Sequence, residues 1–281
     1  MTKGDIYTKE ILTRILNEGT LDKDPRPKYK DGTPAHTLSV NHGMCTYDIN
    51  KGESPLITLR PIAVKSAIGE ILWIYRDQSN DLDLLKDKYG ITWWDEWDCG
   101  NRSIENCYGG TIKNHHIMDR YHKGMKEEPD GRRHIINMWQ YDDFDKPHGL
   151  KPCAFQTNWN VRHEEDADYL DMCLYQRSSD FCTAGCINQV QYLFFLLAMA
   201  KKYNYKPGRF TWFYDNIQIY DRHIDQAKEL IRREPVDCNP YFEIDEDCTW
   251  ENMMPDNVHV RDYPREEIKK KNKQLTFELG I

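Results

Sequence analysis

Residues 170–202 read LDMCLYQRSSDFCTAGCINQVQYLFFLLAMAKK, and three textures follow one another along them. Leu170 to Gln176 has the composition of a strand. Gln176 to Asp180 is a polar stretch of Gln, Arg, two Ser and Asp. Asn188 to Lys202 is apolar nearly all round, which predicts a helix buried on every side at the centre of the molecule. The polar stretch ends an apolar strand and precedes a buried helix. Polar groups at such a place usually have a task.

The flanks extend the same alternation. His134 to Trp139 and Phe155 to Val161 read as strands, and Ile117 to Glu128 as a helix. Nearer the N-terminus, Ile11, Leu12, Ile15 and Leu16 mark a helix over Ile6 to Asn17, with Gly19 as its stop. Asp22 to Pro34, with Pro25, Pro27, Gly32 and Pro34, is a loop. Thr37 to Tyr47 and Leu56 to Leu59 read as strands. Val64, Ala67, Ile68, Ile71, Leu72 and Tyr75 mark an amphipathic helix within Ala63 to Tyr75. Asp81 to Lys88 is a shorter helix, and Asp98 to His116 carries no clear pattern. Beyond the opening stretch, Arg209 to Tyr220 alternates like a strand. Ile224, Ala227, Leu230 and Ile231 share one face of a helix over His223 to Arg233. The remainder mixes short strands with a charged stretch, Arg261 to Lys273. No internal repeat and no linker divides the chain, so residues 1–281 are expected to form a single α+β domain.

Composition sets bounds on function. The chain has 281 residues, with 39% hydrophobic and 12% aromatic content, which excludes general disorder. Its net charge of −8 excludes a protein that grips nucleic acid by bulk positive charge. An anionic ligand would need a local arginine cluster. Nine cysteines at irregular spacing do not form a disulfide framework, and point to a reducing compartment. The first residues, MTKGDIYTKE, contain no apolar leader. The longest apolar run, Tyr192 to Ala200, is too short to cross a bilayer. A soluble, cytoplasmic protein is expected.

Candidate chemistry is sparse but ordered. Cys153, in Pro152-Cys153-Ala154, stands just before a strand. A nucleophilic thiolate needs nearby positive charge and partial access; otherwise such a cysteine is a buried structural residue. Cys182 and Cys186 lie four apart without a second ligand pair, so no metal is expected. Arg26, the pair Arg132-Arg133, and Arg177 beside Ser178 could hold a phosphate, or merely be solvated. Glu70 sits on an apolar helix, either as a surface carboxylate or as a buried one with a raised pKa that moves protons. Trp93, Trp94 and Trp97 could stack on a flat ring or fill core. Asn188 opens the apolar helix, as a cap or as an amide that reads a nucleobase edge. No dinucleotide, P-loop, zinc-protease or nucleophile-elbow motif occurs.

In order along the chain stand Asp31-Gly-Thr-Pro-Ala-His-Thr37, Glu70-Ile-Leu-Trp73, Trp94-Asp-Glu-Trp97 and Tyr108-Gly109. Then come Arg132-Arg133, Leu150-Lys-Pro-Cys153, Gln176-Arg-Ser-Ser-Asp180, Asn188 and Ile219-Tyr220. Any one motif is weak, but the ordered set resembles the flavin-independent, folate-using thymidylate synthase family, in a divergent bacterial or phage branch. The resemblance implies a large mixed β-sheet packed by helices. It implies reductive methylation of dUMP to dTMP with methylenetetrahydrofolate as cosubstrate, and a homodimer with shared active sites. Membrane and specific nucleic-acid partners are not implied.

The resemblance also assigns roles. Cys153 would attack the pyrimidine, Arg177 would lower its pKa and grip the phosphate, and Glu70 would move protons. Arg26, Ser178 and, from the partner subunit, Arg132 and Arg133 would share the phosphate. Gln176 and Asn188 would lie at the pyrimidine, Asn188 reading its edge. Gln218 and Tyr220 would meet the sugar. Trp94 and Asp180 would line the folate site, with Ile281 in a closing C-terminal segment. The family usually carries His where Ala154 and Gln218 stand, and Leu-Gly-x-Pro-Phe where Thr183 to Ile187 stand. A dUMP hydroxymethylase of the same superfamily, or an idle nucleotide- or RNA-binding homologue, are the competing readings.

Overall fold

The computed structural model describes residues 1–144 and 150–281. Its first helix, α1 (Lys3–Glu18), begins three residues before Ile6 because Thr2 and Asp5 form a capping box. The Thr2 hydroxyl accepts the Asp5 N–H at 3.0 Å, and the Asp5 carboxylate accepts the Thr2 N–H at 3.1 Å. The elements that follow are β1 (Thr20–Leu21), β2 (Thr37–Asp48), α2 (Val64–Ile71), α3 (Leu82–Tyr89), α4 (Gly109–Asn114) and α5 (Ile117–Glu127). Next come β3 (Ile135–Asn137), β4 (Ala154–His163), β5 (Asp168–Asp180), α6 (Cys186–Tyr203), β6 (Lys206–Tyr220) and α7 (Ile224–Arg232). The chain closes with β7 (Tyr241–Ile244), β8 (Val258–Arg261) and α8 (Arg265–Lys271).

Six strands form one sheet in the order β1-β2-β6-β5-β4-β3. All neighbours are antiparallel except β5 and β6, which run parallel, so the sheet is mixed as expected. A parallel pair needs a crossover, and α6 supplies it. Strands β7 and β8 make a separate antiparallel pair. Trp73, Trp159, Trp212, Phe194, Phe195 and Phe210 are fully buried and dominate the core between sheet and helices.

One irregularity in the sheet positions the polar residues. In β5 the buried side chains are even-numbered from Leu170 to Gln176, then odd at Ser179. In β6 they are even-numbered from Gly208 to Tyr214, then odd at Ile217 and Ile219. Side chains alternate between faces along a strand, so this slip in both neighbours turns Ser178, Asp180 and Gln218 out of the core. All three line a pocket at that end of the sheet.

Three expectations are corrected. Leu56 to Leu59 is not a strand. Its backbone is satisfied by side chains instead: Asp5 accepts the Thr58 N–H at 2.6 Å and hydroxyl at 2.9 Å, Asn272 donates to the Thr58 carbonyl at 2.8 Å, and Tyr263 donates to the Ile57 carbonyl at 2.6 Å. The helix expected through Tyr75 leaves α geometry after Ile71 and continues as one wide π turn, Leu72–Arg76. The run from Phe181 to Tyr203 is helical over 23 residues and apolar enough to cross a membrane by length and composition, against the shorter run read from the sequence. It lies in the core, with most of its residues buried.

Asp5 is fully buried and serves both α1 and the segment beneath it. Asp5→Ala would strand the Thr58 N–H and hydroxyl, so it should lower unfolding free energy by about 2–4 kcal/mol. Chemical denaturation measures this, and a loss under about 1 kcal/mol would mean that these donors find another partner.

Candidate active site

Where β4 first meets β5, the Arg177 N–H donates to the Cys153 carbonyl at 2.9 Å. A bulge between Ala154 and Gln156 frees the start of β4 from the regular ladder. The Arg177 side chain then folds over that start. Nε donates to the Pro152 carbonyl at 2.9 Å and Nη2 to the Lys151 carbonyl at 2.7 Å, while Nη2 lies 3.7 Å from Cys153 Sγ. The guanidinium also stacks over Trp139, 5.4 Å from the ring centre. From the other side, the Tyr108 hydroxyl accepts the Cys153 N–H at 3.0 Å. Tyr108 holds a positive φ of 46°, a costly backbone for a bulky residue.

Opposing forces set the state of the thiol. Burial pushes its pKa above the ordinary value, while Arg177 and then Arg26 pull it back. The expected lowering by Arg177 is therefore present, but desolvation outweighs it.

Glu70 is buried and faces the same pocket. Burial raises its pKa against favourable contacts from Gln191, Trp94 and Trp93. The Trp93 indole N–H donates to Glu70 Oε2. Trp94 packs edge-on against Trp97 and Tyr108, with ring centres 5.6 Å and 5.3 Å away, so it is both core and pocket wall. Asn188 is the third residue of α6, which continues from a π turn over Phe181–Gly185, and is no helix cap. Its Nδ2 donates to Gln191 Oε1 at 2.8 Å, and its Oδ1 accepts from Gln176 Nε2 at 3.0 Å.

The far wall carries the remaining candidates. Ser178 Oγ accepts from Gln218 Nε2 at 3.2 Å, which leaves buried Gln218 Oε1 without a partner. The Thr183 hydroxyl donates to Asp180 Oδ2 at 2.5 Å and leaves Oδ1 unpaired. Thr183, one of the departures from the family pattern, thus orients Asp180. Burial pushes the Asp180 carboxyl up from its usual pKa. The C-terminal segment lies against the Arg26 loop: Lys28 N–H donates to the Ile281 carbonyl at 2.8 Å, and Ile281 N–H to the Lys28 carbonyl at 3.0 Å. The Tyr220 hydroxyl donates to the Gly280 carbonyl at 3.2 Å.

These side chains surround one cavity of about 1070 Å³, which has room for two medium-sized ligands side by side. It brings together Cys153, Glu70, Arg177, Arg26, Gln176, Ser178, Asn188, Gln218, Tyr220, Trp94, Asp180 and Ile281. It does not bring in Arg132 or Arg133. Both are exposed beside β3, at the sheet edge, and Arg133 pairs with Glu128 at 2.7 Å. Sequence reasoning gave no role to Gln191, Tyr108 or Trp139. Gln191 sits three residues after Asn188, so the helical period carried the signal.

Comparison with known proteins identifies the family. A family model described as thymidylate synthase matches residues 6–273. The thymidylate synthases of Streptococcus agalactiae serotype Ia and Streptococcus pneumoniae strain 70585 are 40% and 42% identical, over the whole of this chain and of each relative. The thermostable thymidylate synthase A from Bacillus subtilis superposes with a TM-score of 0.87 at 30% identity, covering 99% of both chains. Fold and relatives define a methyltransferase. The chain belongs to the thymidylate synthase family.

The raised thiol pKa has a direct readout. Alkylation proceeds through the thiolate, so the iodoacetamide rate at Cys153, followed by peptide mass analysis, should keep rising with pH beyond the ordinary thiol value of 9.0. Arg177→Ala removes a lowering influence and should slow alkylation further at any given pH. A rate that levels off below pH 8 would overturn this account of the thiol's burial.

Proposed function

We propose that residues 1–281 act as one catalytic domain that converts dUMP to dTMP through a covalent adduct on Cys153. The observation that carries this reading is the convergence of Cys153, Arg177, Glu70 and Asn188 on one cavity wide enough for two ligands. The Cys153 thiolate adds to ring carbon six, and the electron pair displaced moves to carbon five. Arg177 and Arg26 bind the phosphate, joined by the Ser178 hydroxyl. Asn188 reads the uracil edge, with Gln176 behind it. Gln218 Oε1, an acceptor without a partner, suits a sugar hydroxyl, and Tyr220 lies beside it. Glu70 moves protons on and off the ring, including the loss of the carbon-five proton.

The residues fit a folate on the other side of the cavity. Asp180 Oδ1 is an unpaired acceptor for a pterin N–H, and Trp94 and Trp97 supply apolar faces. Methylenetetrahydrofolate supplies the one-carbon unit and then a hydride, and leaves as dihydrofolate. Expulsion of Cys153 releases the product. Trp94 and the segment ending at Ile281 keep water from the methylene while it waits for the hydride.

The active unit is a homodimer in this reading. Helices α1 and α6 cover one face of the sheet, with α2 packed on α6. On the other face, Met44, Phe213 and Tyr175 stand in register, with Phe213 and Tyr175 stacked at 5.1 Å. Met44 is 60% exposed, and Ile135 on β3, in register with Asn158, is 45% exposed. Exposed apolar side chains on a sheet face suit a second subunit. Arg133 lies two residues from Ile135, where it would reach a partner's phosphate site, with Arg132 next to it. All nine cysteines are free thiols, which fits a cytoplasmic enzyme.

Product analysis separates synthase from hydroxymethylase. With dUMP and methylenetetrahydrofolate, the protein should form dTMP and dihydrofolate in equal amounts, read by mass and by absorbance. Hydroxymethyl-dUMP without dihydrofolate would replace the synthase reading by the hydroxymethylase. Cys153→Ser should abolish turnover and retain nucleotide binding.

Shared sites can be tested by mixing. Cys153→Ser chains and chains carrying Arg132→Ala with Arg133→Ala should each be inactive. After subunit exchange, the mixture should regain part of the activity through one intact hybrid site. No recovery after confirmed exchange would show that each chain's site is complete alone.

A further inference from the structure

Asn188 does not stand alone at the pocket wall. Trp212 Nε1 donates to Gln176 Oε1 at 2.9 Å, Gln176 Nε2 to Asn188 Oδ1 at 3.0 Å, and Asn188 Nδ2 to Gln191 Oε1 at 2.8 Å. Gln191 in turn faces Glu70. Three amides in series are thus held between an indole and a carboxyl.

The indole end dictates the direction of the whole series. An indole nitrogen carries a hydrogen and offers no lone pair. The Gln176 atom facing it must be the oxygen, so the Gln176 nitrogen faces Asn188. Asn188 must then answer with its oxygen, and its nitrogen is left to face the Gln191 oxygen. The nitrogen of Gln191 remains for Glu70, which when ionised only accepts. If Asn188 turned over, Gln176 would have to turn too, and its N–H groups would meet the Trp212 N–H donor to donor.

This direction has a consequence for the ligand. A side-chain amide has two hydrogens to give and two lone pairs to fill. Asn188 spends one of each within the series and keeps one of each. A uracil edge presents a carbonyl and a ring N–H, which match the remaining donor and acceptor. A cytosine edge presents a ring nitrogen and an amino group in their place, and would match only the overturned amide.

We propose that Trp212 is a positioning residue for base selection: its indole N–H, acting through Gln176, locks Asn188 in the orientation that accepts uracil and refuses cytosine. The proposal rests on the reading that Asn188 faces the pyrimidine. Trp212 is fully buried and is not part of the pocket wall. Phe181 stacks over it at 6.3 Å and Tyr214 packs at 5.0 Å, so the indole itself has a fixed direction.

Calorimetric binding of dUMP and dCMP to the full-length protein tests it, read as the ratio of the two dissociation constants. Trp212→Phe keeps a large ring but removes the N–H, and should shrink the preference for dUMP about tenfold or more. Trp212→His restores a ring N–H and should recover part of it. A role in packing alone would weaken both nucleotides together, and an unchanged ratio in Trp212→Phe would overturn the proposal. If thermal unfolding shows that Trp212→Phe does not fold, Gln176→Met breaks the same series and should shrink the ratio likewise; an unchanged ratio there overturns the proposal. Asn188→Ala separates the two levels. If it leaves the ratio unchanged, the base-reading role of Asn188 falls, and the proposal with it. If it collapses the ratio while Trp212→Phe and Gln176→Met do not, only the orienting role falls.

Discussion

One guanidinium holds the site together. Arg177 closes the first rung between β4 and β5 with its own N–H, and its side chain binds the carbonyls of Lys151 and Pro152. Hydrogen bonds from a charged donor are strong and directional. They turn a short segment outside the ladder into a fixed support for Cys153. The same group supplies the nearest positive charge to the sulfur. Architecture and electrostatics therefore rest on one side chain, and neither can be altered alone.

Around that anchor, burial works against ionisation. Cys153, Glu70 and Asp180 all have their pKa values raised by desolvation. The cavity holds its reactive groups nearer their neutral forms than water would. Each is given partial compensation by specific donors: Arg177 for the thiol, Gln191 and the indoles for Glu70, Thr183 for Asp180. A cavity with groups so balanced suits a reaction in which protons and charge move between ring, sulfur and carboxyl, because small changes in contact shift the balance.

Much of this was legible in the chain. The apolar texture of Asn188 to Lys202 announced the central helix, and the alternation in Arg209 to Tyr220 its partner strand. The order of motifs pointed to Glu70, Trp94, Cys153, Arg177, Asp180, Asn188 and Tyr220, all of which line the pocket. What stayed hidden depends on relations between distant residues. Leu56 to Leu59 has the composition of a strand, but Asp5, Tyr263 and Asn272 claim its backbone from far along the chain. The slip in alternation near Gln176 and Tyr214 is set by paired strands, and no single-strand pattern records it. Gln191 reads as an interruption of an apolar helix until Asn188 and Glu70 are seen on either side of it. Arg132 and Arg133 are visible as a pair, yet their place beside an edge strand gives them no function within one subunit.

Those interruptions in α6 bear on how the chain comes to be made. From Phe181 to Tyr203 the composition is that of a segment able to enter a lipid bilayer. During synthesis this segment emerges before β6, the strand that will cover it. Asn188, Gln189 and Gln191 lie near its start, and side-chain amides are disfavoured in hydrocarbon. Asn188 and Gln191, which line the pocket, therefore also make the start of this helix less apolar before β6 covers it.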